Sequence, residues 1–170
     1  MIFEYCCEDD IEQIIKLYTV AIEFQKNISN QNWLDFDRSN IMVEIGNQLI
    51  WKIVRDNKIV GLFNILLNDE VIWGEKENNL SIYLHRIVAE RSLPLKLMPL
   101  IISWAREYAQ SIGRNFIRMD TWSDNPKLIE YYMNLGFKNL GSFQAANPNC
   151  VPANYSSISL ALLELQINRH

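Results

Sequence analysis

The sequence predicts a mixed α/β fold: a central sheet of about seven strands with helices on both faces, in the order β-α-α-β-β-β-α-β-α-β-β. Three observations carry this. Two long segments repeat apolar residues at helical spacing, and seven short runs are rich in β-branched and aromatic residues. One strand–helix–strand unit in the second half has the form of a crossover between parallel strands.

The bulk composition fits that class. The chain has 170 residues, 49% hydrophobic and 21% charged, enough for a single domain over residues 1–170 with its own core. A net charge of -4 with scattered Lys and Arg leaves no footprint for nucleic acid. The three cysteines (Cys6, Cys7 and Cys150) lack metal-site spacing, and they suit reduced thiols in a cytoplasmic protein. The N-terminus does not read as a signal peptide, and no run approaches the roughly 18 apolar residues of a membrane span. With only His85 and His170, no histidine cluster for a metal is expected.

Ile2–Cys6 suits a first strand, and Glu8, Asp9 and Asp10 place acids where a helix start favours them. Ile11, Ile14, Ile15, Tyr18 and Ile22 then mark a helix from about Asp9 to Lys26. A loop over 27–32 leads to a shorter helix from Asp35 to Gly46. Leu49–Arg55 and Lys58–Leu67 form a hairpin across Asp56-Asn57. Turn formers over 68–79 precede a strand at Leu80–Ala89, apolar on both faces in places, as a central strand is. Leu97, Leu100, Ile101, Trp104, Ala105, Tyr108 and Ile112 mark a long helix that Gly113 stops. Phe116–Trp122 is the next strand. Pro126 at a first helical turn, with Asp124 or Asn125 as cap and Gly136 beyond the last turn, delimits a short helix. Phe137–Ala145 and Ser157–Gln166 close the sheet.

The most informative stretch runs from Asp120 to Phe137. A polar loop after a strand, then a helix carrying Tyr131 and Tyr132, then Leu135-Gly136-Phe137, can hold a substrate and aim a phenol at it. In this position and element order the chain resembles the GNAT N-acetyltransferase superfamily over nearly its whole length. The resemblance implies acetyl-CoA as cosubstrate, no metal, and direct attack of a primary amine on the thioester in a ternary complex. The acceptor is a small molecule or an amino terminus, and homodimers are common in the family.

Residue by residue, Tyr132 matches the tyrosine that protonates the departing thiolate. Asn125 matches the asparagine that contacts the coenzyme A arm, although its place before Pro126 also makes it a plain helix cap. Ile87, Val88 and Ala89 lie on the strand that pairs its backbone with pantetheine. The family's glycine-rich phosphate loop corresponds here to Leu93-Pro94-Leu95-Lys96-Leu97-Met98, which has no glycine. There Lys96 and Leu97 are the expected cosubstrate contacts, and Arg91 and Lys96 the available positive charge. His85 is a candidate base for the amine proton. A buried histidine bonded to a backbone carbonyl is the plainer reading of that residue. Glu23, Trp33, Asp35 and Asp37 come from segments that cover the acceptor side in the family, whereas Trp51, Trp73, Trp104 and Trp122 suit the core. Cys150 has no basic neighbour to make it a nucleophile. Because apolar residues replace the phosphate cradle, a GNAT-like domain that no longer binds CoA, and binds a partner instead, is the alternative function.

Overall fold

The computed structural model describes residues 1–28, 32–91, 96–144 and 159–167. Its strands are β1 (Ile2–Tyr5), β2 (Ile50–Arg55), β3 (Lys58–Leu66), β4 (Ser81–Ala89), β5 (Phe116–Trp122), β6 (Lys138–Gln144) and β7 (Ser159–Gln166). The helices are α1 (Ile11–Ile28), α2 (Arg38–Gly46), α3 (Glu70–Trp73), α4 (Leu97–Ser111) and α5 (Pro126–Asn134). The seven strands form one sheet in the order β1-β2-β3-β4-β5-β7-β6. Tertiary contacts group the chain into two compact units, Met1–Ile65 with His85–Leu97, and Leu66–Leu84 with Met98–His170. Strand β4 is divided between them.

In the first unit β1 pairs antiparallel with β2, and β2 with β3. The β2–β3 turn is the two-residue Asp56-Asn57, with φ of +51° and +59°, the backbone that matches the twist of a hairpin. Glu90 N donates to Val60 O at 2.9 Å, tying the end of β4 to β3. The helices bury one stripe each: Ile11, Ile14, Leu17 and Tyr18 of α1, and Ile41 and Ile45 of α2, pack in one cluster with Ile50, Leu62 and Val88. This is the periodicity expected of α1. Its start differs slightly from expectation, because Glu8–Asp10 form a separate 3-10 turn whose Asp10 carboxylate accepts from Cys7 N at 2.8 Å. Helix α2 begins at Arg38 rather than Asp35, because Asp37 caps it by accepting from Ser39 N at 3.0 Å.

In the second unit β4 runs parallel to β5, with Ser81, Ile82 and Tyr83 opposite Phe116, Ile117 and Arg118, as a crossover requires. Strand β5 pairs antiparallel with β7, and β7 with β6, whose register shifts between Asn139 and Ser142 where Gly141 has a φ of +106°. Helix α4 buries Met98, Ile101, Ile102, Ala105 and Ala109, while Leu100 and Ile112 of the expected stripe are exposed. The buried face keeps Leu97, Ile101 and Ala105 of the anticipated stripe and turns toward Met98, Ile102 and Ala109. Trp51 and Trp73 are core residues, and Trp104 and Trp122 are half-buried.

Residues 68–79 hold more order than their turn formers suggest. They contain α3 and a 3-10 turn, and the Glu77 carboxylate accepts from the N–H groups of Asp69, Asn78 and Asn79 at 3.0, 2.9 and 2.8 Å. The segment is anchored by Arg118, which is 4% exposed. Arg118 donates to Glu164 Oε2 (2.8 Å), Lys76 O (2.7 Å) and Tyr83 Oη (3.0 Å), and its guanidinium lies 4.5 Å from the centre of the Trp73 ring. Tyr83 in turn donates to Glu77 Oε2 at 2.5 Å. A buried arginine with this many partners leaves several of them unsatisfied when it is removed. Arg118→Ala is expected to lower unfolding stability by about 3–5 kcal/mol, measured by urea denaturation.

Candidate active site

The second unit places Tyr132 by local rules. At the front of α5, Asn125 Oδ1 accepts from Leu128 N at 3.1 Å and Pro126 occupies the first turn, so Asn125 is the cap. At the back, Gly136 N donates to Met133 O (2.9 Å) and Phe137 N to Tyr132 O (3.2 Å). This pair of bonds is a Schellman stop, with Gly136 at the left-handed position, φ +98°. The stop uses the Phe137 N–H, which is why β6 begins at Lys138 rather than at Phe137. It also brings the Phe137 ring edge-on to Tyr132, with centroids 6.1 Å apart. The spacing Tyr-x-x-x-Gly-Phe thus fixes the direction of one phenol. Tyr131, next to it, is exposed, so only Tyr132 is held in this way.

Tyr132 is half-buried by surface, and burial, helped by the neighbouring Tyr131, pushes its phenol up to about 12. The proton therefore stays on oxygen throughout the neutral range. Asn125 spends Oδ1 on the cap, while its Nδ2 has no hydrogen-bond partner among the described residues.

The first unit holds the remaining expected residues. His85 and Ile87 on β4 are half-buried, Val88 is buried and Ala89 is exposed. Lys96 is exposed just before α4, whereas the Leu97 side chain is 4% exposed and belongs to the core. Leu97 can therefore offer a ligand its backbone but not its side chain. Arg91 is exposed, with its guanidinium over the Phe24 ring of α1. Of the glycine-free stretch, Leu93, Pro94 and Leu95 lie outside the described residues, as does Cys150.

Two features of this unit escape the sequence. One is Gly61 on β3. A Cβ there would stand 2.6 Å from Leu97 Cδ1 and 3.1 Å from Val88 O, so this glycine lets β4 and the first residue of α4 close onto β3. A lone glycine inside a strand is the available signal, although it does not say what approaches. The other is a polar network at Arg86, a residue with φ of +49° inside β4. Arg86 donates from Nη1 and Nη2 to both carboxylate oxygens of Glu44, at 2.9 and 2.5 Å. Asn64 Nδ2 donates to Glu44 Oε2 at 3.2 Å, and Tyr18 Oη donates to Asn64 Oδ1 at 3.0 Å. Burial drives the Tyr18 phenol well above its ordinary range, so it keeps the proton that it donates to Asn64. Around it stand Trp33 and Phe36, with ring centroids 6.4 and 4.4 Å from that of Tyr18, and Arg86 lies over Phe36 at 5.3 Å. Of the acceptor-side residues expected from sequence, Trp33 joins this cluster, while Glu23, Asp35 and Asp37 are exposed.

No family model matches the chain. Among curated proteins it is similar to the uncharacterized N-acetyltransferase YesJ of Bacillus subtilis (strain 168). The two are 24% identical over 152 residues, which is 81% of this chain and 83% of that protein. Among solved structures it is similar to an acetyltransferase of the GNAT family from Listeria monocytogenes, with a TM-score of 0.74 at 19% identity over 97% of this chain and 94% of that one. The chain has the GNAT fold. A second similar structure is yncA of Salmonella typhimurium, a putative acetyltransferase with its cofactor acetyl-CoA, with a TM-score of 0.66 at 14% identity over 100% of this chain and 95% of that one. The GNAT fold agrees with the expected mixed seven-stranded sheet. No helix among the described residues is long and apolar enough to cross a membrane.

The close approach at Gly61 gives a direct test of how the first unit is packed. Gly61→Ala is expected to lower stability by about 1–3 kcal/mol through overpacking against Leu97 and Val88. Thermal unfolding of the two proteins side by side measures it.

Proposed function

We propose that this GNAT-fold protein is an acetyl-CoA-dependent N-acetyltransferase acting on a primary amine of a small molecule or an amino terminus. The observation that carries this is the Tyr132 phenol, fixed by the Schellman stop and protonated in the neutral range. The similarity to YesJ, itself named an N-acetyltransferase, supports the same chemistry.

Acetyl-CoA supplies an activated acetyl group, and the chain supplies position and protons. The backbone of Ile87, Val88 and Ala89 orients the pantetheine arm and polarises the thioester carbonyl through an N–H. Lys96 and Arg91, both exposed, furnish positive charge for the phosphates beside the start of α4, where backbone N–H groups such as that of Leu97 add to it. In this chain side-chain charge takes over work that glycine-loop amides do elsewhere. Nδ2 of Asn125 donates to the coenzyme arm while Oδ1 keeps the cap. A neutral amine attacks the carbonyl carbon, the C–N bond forms and the C–S bond breaks. His85, or water, takes the amine proton.

Tyr132 gives a proton to the departing sulfur. A phenol at about 12 is a weaker acid than a thiol, whose ordinary value is about 8.5. Full transfer to a free thiolate is therefore uphill. The phenol acts by donating a hydrogen bond to sulfur as the negative charge develops. As the C–S bond breaks the proton passes to sulfur, and the amine proton held by His85 or water returns to the phenolate oxygen, which offsets the uphill transfer.

Calorimetric titration with acetyl-CoA and free CoA tests the proposal, with a micromolar dissociation constant expected. Absence of binding at millimolar CoA would refute it. Tyr132→Phe is expected to lower turnover by about 100-fold while leaving coenzyme affinity nearly unchanged. Equal losses in both would assign Tyr132 to binding instead.

The pH dependence follows from the same phenol. A raised pKa means that the active, protonated form persists until the pH nears 12. Turnover measured from pH 6 to pH 10.5 is therefore expected to show no falling limb from this group, and a limb near the ordinary phenol value of about 10 that Tyr132→Phe abolishes would contradict it.

A further inference from the structure

Arg86 is left-handed, with φ +49°, in the middle of an extended strand. A residue with a Cβ holds that conformation only where surrounding contacts over-determine it. Such contacts surround Arg86. Glu44, from the end of α2, takes both arms of the guanidinium in a bidentate pair. The pair is largely shielded, with the Arg86 and Glu44 side chains 28% and 20% exposed. Glu44 is itself oriented by Asn64 of β3, which is buried and fixed by Tyr18 of α1, and Phe36 supports the guanidinium from below. Three elements of the first unit thus converge on one carboxylate and, through it, on one backbone angle.

That angle has a consequence for the residues that follow. A left-handed residue breaks the alternation of a strand, so it resets the direction in which Ile87, Val88 and Ala89 present their N–H and C=O groups. We propose that the Glu44–Arg86 ion pair is a positioning device for the cosubstrate strand. It holds Arg86 left-handed and so aims the backbone of Ile87–Ala89 at the pantetheine arm. This rests on the acetyl-CoA reading above. Glu44 and Arg86 touch neither cosubstrate nor acceptor in this scheme. They act through the strand.

The test separates backbone conformation from bulk stability. In the wild-type protein the intraresidue Hα-to-amide NOE at residue 86 is expected to be strong, as it is at positive φ. In Glu44→Gln, which keeps the shape and loses the charge, that NOE is expected to weaken. At position 86, Arg86→Ala and Arg86→Gly both remove the ion pair, but only glycine takes a positive φ without a Cβ penalty. CoA affinity by calorimetry is therefore expected to fall about tenfold in Arg86→Ala and to stay within about threefold of wild type in Arg86→Gly. A purely structural ion pair would cost both variants alike. Equal CoA affinities for alanine and glycine, or an undiminished NOE in a folded Glu44→Gln, would overturn the proposal. Failure of the wild type to bind CoA would instead remove the acetyl-CoA reading, leaving the NOE result to decide what the ion pair does to the strand.

Discussion

Much of the candidate chemistry depends on one left-handed glycine. Gly136 lets α5 end in a pair of backbone bonds that return to Met133 and Tyr132. A side chain at that position would be strained by φ alone, and a Cβ would also come within 3.2 Å of Leu165 Cδ1 on β7. The stop therefore settles three things together: where the helix ends, where β6 begins, and which tyrosine is pressed against Phe137. Burial of that tyrosine follows, and with burial comes a phenol that keeps its proton. A helix terminus, an ordinary piece of backbone accounting, thus helps to make a candidate acid a weaker one than a free phenol.

The two units solve the problem of buried polar groups in similar ways. In one, Arg118 gathers Glu164, Tyr83 and the carbonyl of Lys76 around the Trp73 ring. In the other, Arg86 is gathered by Glu44 over the Phe36 ring. Each places a planar cation against an aromatic face and gives it a carboxylate, a combination that suits arginine better than lysine. Their positions differ in use. Arg118 secures a connecting segment to the sheet, whereas Arg86 sits within a strand, at a left-handed backbone angle.

What the sequence reveals follows the range of the forces involved. The Asp56-Asn57 turn, the Asn125 cap and the Gly136 stop are decided by residues a few places apart, and each is legible. The α1 stripe is legible because one face meets one core. The order within 68–79 is not, because Glu77 makes its caps by a side chain reaching back to Asp69. The conformation of Arg86 is hidden for a stronger reason. Its cause, Glu44, is a residue 42 positions earlier, and arginine in a strand gives no hint of positive φ. The roles proposed for Tyr132, Asn125 and the β4 residues rest on resemblance to the GNAT superfamily, to which the described geometry adds the cap made by Asn125 and the burial of Tyr132.

The register shift in β6 bears on how this protein behaves in a crowded solution. Strand β6 lies at the edge of the sheet, with all but one of its residues exposed. A flat edge of that length is a template on which another chain can add a strand. The break between Asn139 and Ser142, with Gly141 left-handed and Asn139 Oδ1 accepting from Gly141 N, interrupts the row of outward N–H and C=O groups. Lys138 adds a charge at one end. The irregularity is a guard against edge-to-edge aggregation, placed on a border that, among the described residues, no further strand of the sheet covers.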